Sequence, residues 1–308
     1  MQNKTCLCCG KSVYFLNHYS GYKFRKCKFC GYFEVYPKPD DSFLKQFYNS
    51  QKGFTQSEIA VFPRRNEMIM ELIKKYLKGG GRCYEIGVGN GTFFKKLKQE
   101  GFDVKGCDIS SAAFKNKDVE IGKFTNFNYK RKYDLIYTSH VFEHLNNPEK
   151  TIKSIYRALK NKGYLLIAVP NEKSLTKSLG FIFTEFKDAR FVNPPGHLNF
   201  FNKKSLTIFL KRNEFKIIKV ANYPVISSNL FIGLISNCFN SYNRFFKIFI
   251  KKINKKKEKE NITYISEQNK KIFVKFSEKI SDLTMPIQEV ILGKTILGDD
   301  LIILAQKY

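Results

Sequence analysis

Two groups of residues in this sequence have types and spacings suited to chemistry. The first is a cysteine quartet, Cys6-x2-Cys9 and Cys27-x2-Cys30, with 17 residues between the pairs and a glycine (Gly10, Gly31) after each. Thiolates so spaced form two knuckles that together close a tetrahedral Zn–S4 site. The glycines suit tight turns with backbone amides directed at the thiolates. Between the pairs lies a Tyr-, Phe- and Lys-rich stretch, enough for a small hairpin but not for a core. A structural Zn2+ supplies the missing stabilisation. Four thiolates fill the coordination sphere, so this ion is not expected to catalyse. Cys8 reads as a spectator, and Cys83, Cys107 and Cys238 as buried packing residues. The alternative is four cysteines at coincidental spacing.

The second group is Glu85-x-Gly87-x-Gly89-x-Gly91 followed by Asp108, 21 residues beyond Gly87. An apolar run before the glycines and a helical pattern after them give the context of a nucleotide-binding turn. The spacing differs from the dinucleotide fingerprint G-x-G-x-x-G, so the loop is not the usual pyrophosphate cradle. Glu85 suits a ligand carrying positive charge, and Asp108 is placed to accept two ribose hydroxyls. The chain has four histidines, His18, His140, His144 and His197, and the last three fall on the carboxyl side of expected strands. Histidine suits proton transfer near neutral pH. In "HVFEHL", His140 and His144 lie four apart and are expected to share a helical face. A zinc site on these two lacks a third and fourth ligand. Glu143 and His144 read either as catalytic or as fixing the local helix and loop. His197 reads as a base or acceptor-binding group, or else as a hydrogen bond pinning Pro194–Pro195–Gly196.

Alternating strands and helices must position these residues. Met68, Leu72, Ile73 and Leu77 set a helical period that Gly79–Gly81 ends. Then follow strand "RCYEIG", helix Thr92 to Glu100 with Gly101 past its end, strands "DVKGCDI" and "YDLIYTSH", and helix Pro148 to Leu159. Strand "GYLLIAVP", helix Lys204 to Arg212, strand "FKIIKVA" and a final strand "DDLIILAQKY" complete the series. Such alternation predicts a doubly wound, mostly parallel sheet that binds ligands beyond its strands' carboxyl ends. The expected divisions are a zinc ribbon over 1–36, a linker ("YPKPD") and lead-in helix over 37–80, and a core over 81–222. A basic insertion over 223–297 and a last core strand over 298–308 follow.

The formal charge is +27, with 45 Lys, 9 Arg and no Trp. A polyanionic partner is one reading. The Lys bias, with abundant Phe, Ile, Asn and Tyr, also matches an AT-rich coding sequence, and dedicated nucleic-acid surfaces use Arg more heavily. A hydrophobic content of 43% argues against wholesale disorder. "MQNKTCLCCGK" has no apolar signal run, and "PVISSNLFIGLISNCF" falls short of the ~18–20 apolar residues of a spanning helix. A cytoplasmic setting with reduced or metal-bound cysteines is expected.

"YEIGVGNG", "GCDIS" and "YDLIYTSHVFEHLNNPEKTIKSIYRALKNKGYLLIAVPN" together resemble a class I S-adenosylmethionine-dependent methyltransferase from about Phe62 to Ala221. The resemblance implies a Rossmann-like seven-stranded sheet. It also implies that Glu85, Gly87, Gly89 and Gly91 face the methionine part of the cofactor, that Asp108 holds the ribose and that Ile109 packs on the adenine. Ser139 and His140 would line the sulfonium end, and Glu143, His144 and His197 the acceptor side. Relatives often hold the adenine amine with an acid after the third strand. "IGKFTNFNYK" has none, leaving a backbone carbonyl or Asn126. A two-knuckle module before this domain resembles sugar C-methyltransferases acting on nucleotide-linked deoxy-keto sugars. Those carry a Tyr-x-Glu-His motif where this chain has Pro194-Pro195-Gly196-His197, and a large C-terminal domain that is not expected here.

The expected activity is therefore methylation of a sugar or other small-molecule acceptor in surface-polysaccharide or nucleotide-sugar biosynthesis, at oxygen rather than carbon. One alternative is a zinc-ribbon ribosomal-RNA base methyltransferase, although no Asn/Asp-Pro-Pro-Tyr-type loop follows the fourth strand. Others are a lipid or quinone O-methyltransferase at a membrane face and a non-catalytic zinc-binding scaffold. Asn243 to Lys279 carries 12 Lys/Arg against 4 Glu. It reads as a helical lid, or as a basic helix on an anionic membrane that would place the protein peripherally at the inner face.

Overall fold

The computed structural model describes residues 5–19, 22–50, 56–111, 113–174, 196–223 and 300–308. Cys238, Pro194, Pro195 and the basic stretch over 224–297 lie outside them.

The N-terminal strands are β1 (Tyr14–Tyr19), β2 (Tyr22–Lys26) and β3 (Phe33–Val35), followed by α1 (Asp41–Ser50) and α2 (Gln56–Tyr76). The alternating part runs β4 (Arg82–Ile86), α3 (Thr92–Gln99), β5 (Asp103–Asp108), β6 (Val119–Ile121), β7 (Tyr133–Ser139), α4 (Pro148–Ala158) and β8 (Leu159–Pro170). It closes with β9 (Asn199–Phe200), α5 (Lys203–Arg212), β10 (Phe215–Tyr223) and β11 (Asp300–Lys307). Seven strands form one sheet in the order β10-β11-β8-β7-β4-β5-β6, with β11 antiparallel to both neighbours and the rest of the β8-to-β6 run parallel. This is a mixed α/β Rossmann-like sheet, as the alternation implies. The order reverses at β4, which lies between β5 and β7. Central strands covered on both faces must be apolar throughout, and Leu165 to Val169 and Leu301 to Ala305 are almost wholly buried.

Helix starts follow local chemistry. The Asn147 side chain accepts from Lys150 N with Pro148 in the first turn, and Asn202 and Ser205 form a reciprocal capping box on α5. The face expected for α2 needs correction. Asn66, Ile69, Met70 and Ile73 are buried, while Met68, Leu72 and Leu77 are only partly so. Arg65, also 4% exposed, belongs to the inward stripe, and a hydrophobicity pattern has no place for it. Among the described residues no helix is long and apolar enough to cross a membrane.

The N-terminal sheet is not a separate module. Its order is β1-β2-β3-β9, so a strand from after β8 completes it, with Phe33 opposite Phe200 and Glu34 opposite Asn199. Phe33 and Phe200 stack with centroids 4.3 Å apart and planes 2° from parallel. The expected linker, Tyr36 to Asp40, is likewise packed. Lys38 Nζ lies 3.0 Å from Glu34 Oε2 and donates to Asn199 Oδ1 at 2.7 Å and to Asn146 O at 3.2 Å. Burial lowers the Lys38 pKa, partly opposed by Glu34.

Candidate active site

The glycine loop bends back over the sheet edge between β4 and α3. Gly87, Gly89 and Gly91 have φ of 81°, 54° and 77°, left-handed values that favour glycine. A Cβ on Gly87 would sit 2.4 Å from Val141 Cγ2, and one on Gly91 2.4 Å from Phe114 Cγ, whereas one on Gly89 meets nothing within 4 Å. Two glycines therefore allow close packing and the third borders open space. Gly89 N donates to Asp108 Oδ2 at 2.9 Å and Ser110 N to Asp108 Oδ1 at 2.8 Å. That orients the carboxylate and leaves each oxygen a further lone pair. Ile109 follows, half-buried. Asn126 is exposed in a 3-10 turn over Phe124–Asn126.

Glu85 is 4% exposed and its Oε2 has no hydrogen-bond partner. Burial, and secondarily the charge of Asp108, push its pKa well above the ordinary carboxylate range. A buried carboxylate oxygen without a donor, beside open space at Gly89 and an aligned Asp108, fits a ligand bearing both a cationic amine and vicinal hydroxyls. S-adenosylmethionine has both.

Across the loop, β7 ends at Ser139 and the chain turns through His140 at φ 53°. Only Phe142–His144 form a short 3-10 turn, so the expectation that His140 and His144 share a helical face is corrected. His140 instead joins a buried ionic cluster. Arg65 Nη1 donates to Asp300 Oδ2 at 2.7 Å and lies 2.6 Å from His140 Nε2, while Arg65 Nη2 donates to Ser139 Oγ at 2.9 Å. His140 Nε2 is 3.1 Å from Asp300 Oδ2, and its Nδ1 is 3.1 Å from Glu143 Oε1. Burial opposes charge on His140, but Asp300 and Glu143 outweigh it and raise the pKa to about 9. Burial alone would raise Glu143, but His144, His140 and His197 outweigh it and hold it at about 2. Arg65 and Asp300 lie 235 residues apart and nothing in their neighbourhoods marks them as partners.

The segment after β7 and the residues leading into β9 bring Glu143, His144 and His197 together, one ligand atom from each within 4.8 Å of the others. The rings of His144 and His197 meet edge to face with centroids 4.8 Å apart. His144 Nδ1 donates to Gly196 O at 2.8 Å, so the pinning of the loop end expected of His197 involves His144. Asn199 organises the region from below. Its Oδ1 accepts from Tyr32 Oη and Lys38 Nζ, both at 2.7 Å, and its Nδ2 donates to the carbonyls of Phe142 (3.1 Å), Glu143 (3.4 Å) and Leu145 (2.6 Å). Sequence reasoning missed Asn199, because no periodic pattern singles out one Asn in "HLNFF".

In the ribbon, Cys6 Sγ–Cys30 Sγ and Cys9 Sγ–Cys27 Sγ are each 3.5 Å apart, and all four sulfurs lie within 4.8 Å of one another. Four thiolates on ~2.3 Å bonds to one tetrahedral ion sit about 3.8 Å apart, so the donor set fits zinc. Gly10 N and Gly31 N close the knuckles on the carbonyls of Cys6 and Cys27 at 2.9 and 3.0 Å, not on sulfur. Cys83 and Cys107 are buried packing residues, as expected. Cys8 is fully buried beside the quartet, with burial raising its pKa. Its place there is more intimate than that of a spectator. His18 lies on β1, within the ribbon between the two cysteine pairs.

A family model described as a methyltransferase domain matches residues 61–220. An uncharacterized methyltransferase of Staphylococcus carnosus is 35% identical over 115 residues, covering 35% of this chain and 54% of that protein. The mitochondrial ubiquinone biosynthesis O-methyltransferase of Rattus norvegicus is 30% identical over 181 residues, covering 53% of this chain and 49% of the relative. The chain thus spans about half the length of the curated relatives it matches. Among solved structures, magnesium protoporphyrin IX methyltransferase of Synechocystis, with bound S-adenosylhomocysteine, aligns at a TM-score of 0.50 and 12% identity over 87% of this chain and 100% of that one. That likeness shows the fold.

Proposed function

The chain belongs to the methyltransferase domain family, and from that premise we propose that it methylates an oxygen of a sugar or other small-molecule acceptor using S-adenosylmethionine. A place in surface-polysaccharide or nucleotide-sugar biosynthesis is part of the same proposal. The observation that carries it is the juxtaposition of two half-sites across Gly87. On one side lie the partnerless Glu85 oxygen, the open space at Gly89 and the oriented Asp108. On the other, beyond Val141, lies the Glu143–His144–His197 cluster.

When bound, S-adenosylmethionine supplies a methyl group already activated on a sulfonium. The chain's own task is to orient the acceptor, exclude water and manage one proton. Glu85 binds the cofactor's ammonium, Asp108 its ribose hydroxyls, and Ile109 a face of its adenine. Ser139 and His140, locked by Arg65 and Asp300, wall the end of β7. His144 and His197 are placed to receive the proton that a hydroxyl acceptor loses, and Glu143 stabilises the resulting positive charge. Cys6, Cys9, Cys27 and Cys30 hold a structural Zn2+ that fixes the knuckles under β3.

A quinone-type phenol is the second reading, favoured by the rat relative's name and by the matching ubiquinone biosynthesis O-methyltransferase of Rickettsia bellii, 25% identical over 140 residues. The test is transfer of labelled methyl from S-adenosylmethionine to a panel of nucleotide sugars, polyprenyl phenols and ribosomal RNA, with calorimetry for cofactor binding. Label on a sugar oxygen is the expected result. Label on RNA, or failure to bind the cofactor, overturns the proposal. Elemental analysis should give one zinc per chain, lost on Cys6→Ser or Cys27→Ser.

A further inference from the structure

The cysteine knuckles and α5 share a surface of cations without acids. Residues 1–36 contain six Lys/Arg and one acid, Glu34, and Glu34 is buried and committed to Arg25 and Lys38. Helix α5 carries Lys203, Lys204, Lys211 and Arg212 and no acid. Several lysines of the alternating part stand beside acids, as Lys74 does with Glu100, Lys98 with Asp118 and Lys160 with Asp134. The ion pairs among the described residues include none of Lys11, Lys28, Lys204 or Arg212.

Contacts join these residues into one patch. Lys204 Nζ donates to Phe29 O and stands 4.2 Å from the Phe29 ring centroid, with Lys11 Nζ 5.9 Å from the same centroid. Lys28 Nζ lies 5.3 Å from the centroid of Tyr14. Arg212 Nη1 donates to Leu7 O of the first knuckle at 3.5 Å. Among these cations sits Phe29, 52% exposed, on the turn between Cys27 and Cys30. A short loop tied at both ends presents that ring at little further cost in entropy. A single exposed Phe is ordinary. One surrounded by unneutralised cations suits a surface that is both anionic and partly apolar.

We propose that this patch docks the chain on an anionic membrane surface, with Phe29 entering the headgroup boundary while Lys11, Lys28, Lys204 and Arg212 meet lipid phosphates. Single-stranded RNA offers the same charge but fits the patch less well. A base-stacking platform presents open ring faces, whereas a base on Phe29 or Tyr14 would compete with the lysines that already stand over those rings. Nucleic-acid readout also favours the planar fork of Arg. Three of the four cations here are Lys, compact charges that need no fixed donor geometry and suit a fluid array of headgroups. The patch uses no residue of the methyl-transfer site, so a failure to bind S-adenosylmethionine would leave it untouched.

The chain has no Trp, so Phe29→Trp supplies a single indole reporter. With the full chain on vesicles of phosphatidylglycerol and phosphatidylcholine, its emission should shift to the blue and be quenched by brominated acyl chains. Emission from Tyr308→Trp, at a position 71% exposed and outside the patch, should do neither. Lys11→Gln combined with Lys28→Gln should weaken co-sedimentation with these vesicles about 25-fold, at about fivefold per charge, with zinc content and melting temperature unchanged. The Phe29→Trp reporter removes no cation, so misfolding of the charge variant would leave the test standing. Equal binding to pure phosphatidylcholine, unshifted Phe29→Trp emission, or vesicle binding unchanged in a folded charge variant overturns the proposal. Tighter binding of a uridine-rich single-stranded RNA, lost in the same variant, also overturns it and makes the patch a nucleic-acid surface.

Discussion

Asn199→Ala tests the dependence of the candidate acceptor site on the ribbon. The substitution removes a side chain 1% exposed that bridges Tyr32 and Lys38 on one side and three carbonyls on the other. Tyr32 Oη and Lys38 Nζ keep Glu34 as partner, and Glu143 O keeps Leu198 N. Phe142 O keeps Leu145 N, and the Leu145 carbonyl loses the Asn199 donor. An orphaned buried group costs about 1–3 kcal/mol, so the loop should be destabilised by about 2 kcal/mol. That corresponds to roughly thirtyfold more frequent local opening. Hydrogen exchange of the His144 and Leu145 amides, which close on Val141 O and Phe142 O, reads this directly. Asn199→Asp keeps the acceptor towards Tyr32 and Lys38 but loses the donor, and should raise exchange at the same amides. Protection unchanged in both variants would refute the view that this residue holds the loop.

Glu85→Gln should weaken S-adenosylmethionine binding roughly 10- to 150-fold in calorimetry, the worth of about 1.5–3 kcal/mol for a charge-assisted bond, and equal affinity would remove Glu85 from the site. Gly87→Ala forces φ 81° on an alanine and drives its Cβ to 2.4 Å from Val141. A loss of about 1–3 kcal/mol is expected, partly recovered by adding Val141→Ala, and no recovery would refute the clash. His140 carries a folded pKa raised to about 9 against an ordinary value near 6.5. Its stabilising contribution is complete below about pH 6.5 and is lost as pH rises through about 9. Thermal melts should therefore fall across that window, and the fall should be shallower in His140→Gln.

Elements whose signal is local were legible from composition and spacing alone. The apolar runs of β7, β8 and β11, the glycine loop, Gly101 after α3 and the Pro148 helix start all lie close to their expected bounds. What escaped is non-local. Strand β9 has two residues, too few for any period, and exists because Phe33 and Glu34 of the ribbon pair with it. Arg65 and Asp300 look like ordinary surface charges until the fold buries them against each other. The left-handed turn at His140 shifts the register of everything after it, which is why a helical reading of "HVFEHL" joined the wrong pair of histidines.

The pairing of β3 with β9 also sets an order of events during synthesis. Glu34 waits for Asn199, 165 positions later, a delay of roughly 8–33 s at ~5–20 residues/s. Throughout that interval the ribbon hairpin has an open edge on the nascent chain, the kind of edge that recruits neighbouring chains. Strand β3 has only three residues, and short edges are poor templates. The brevity of that strand is what lets an N-terminal ribbon borrow its last strand from so far down the chain.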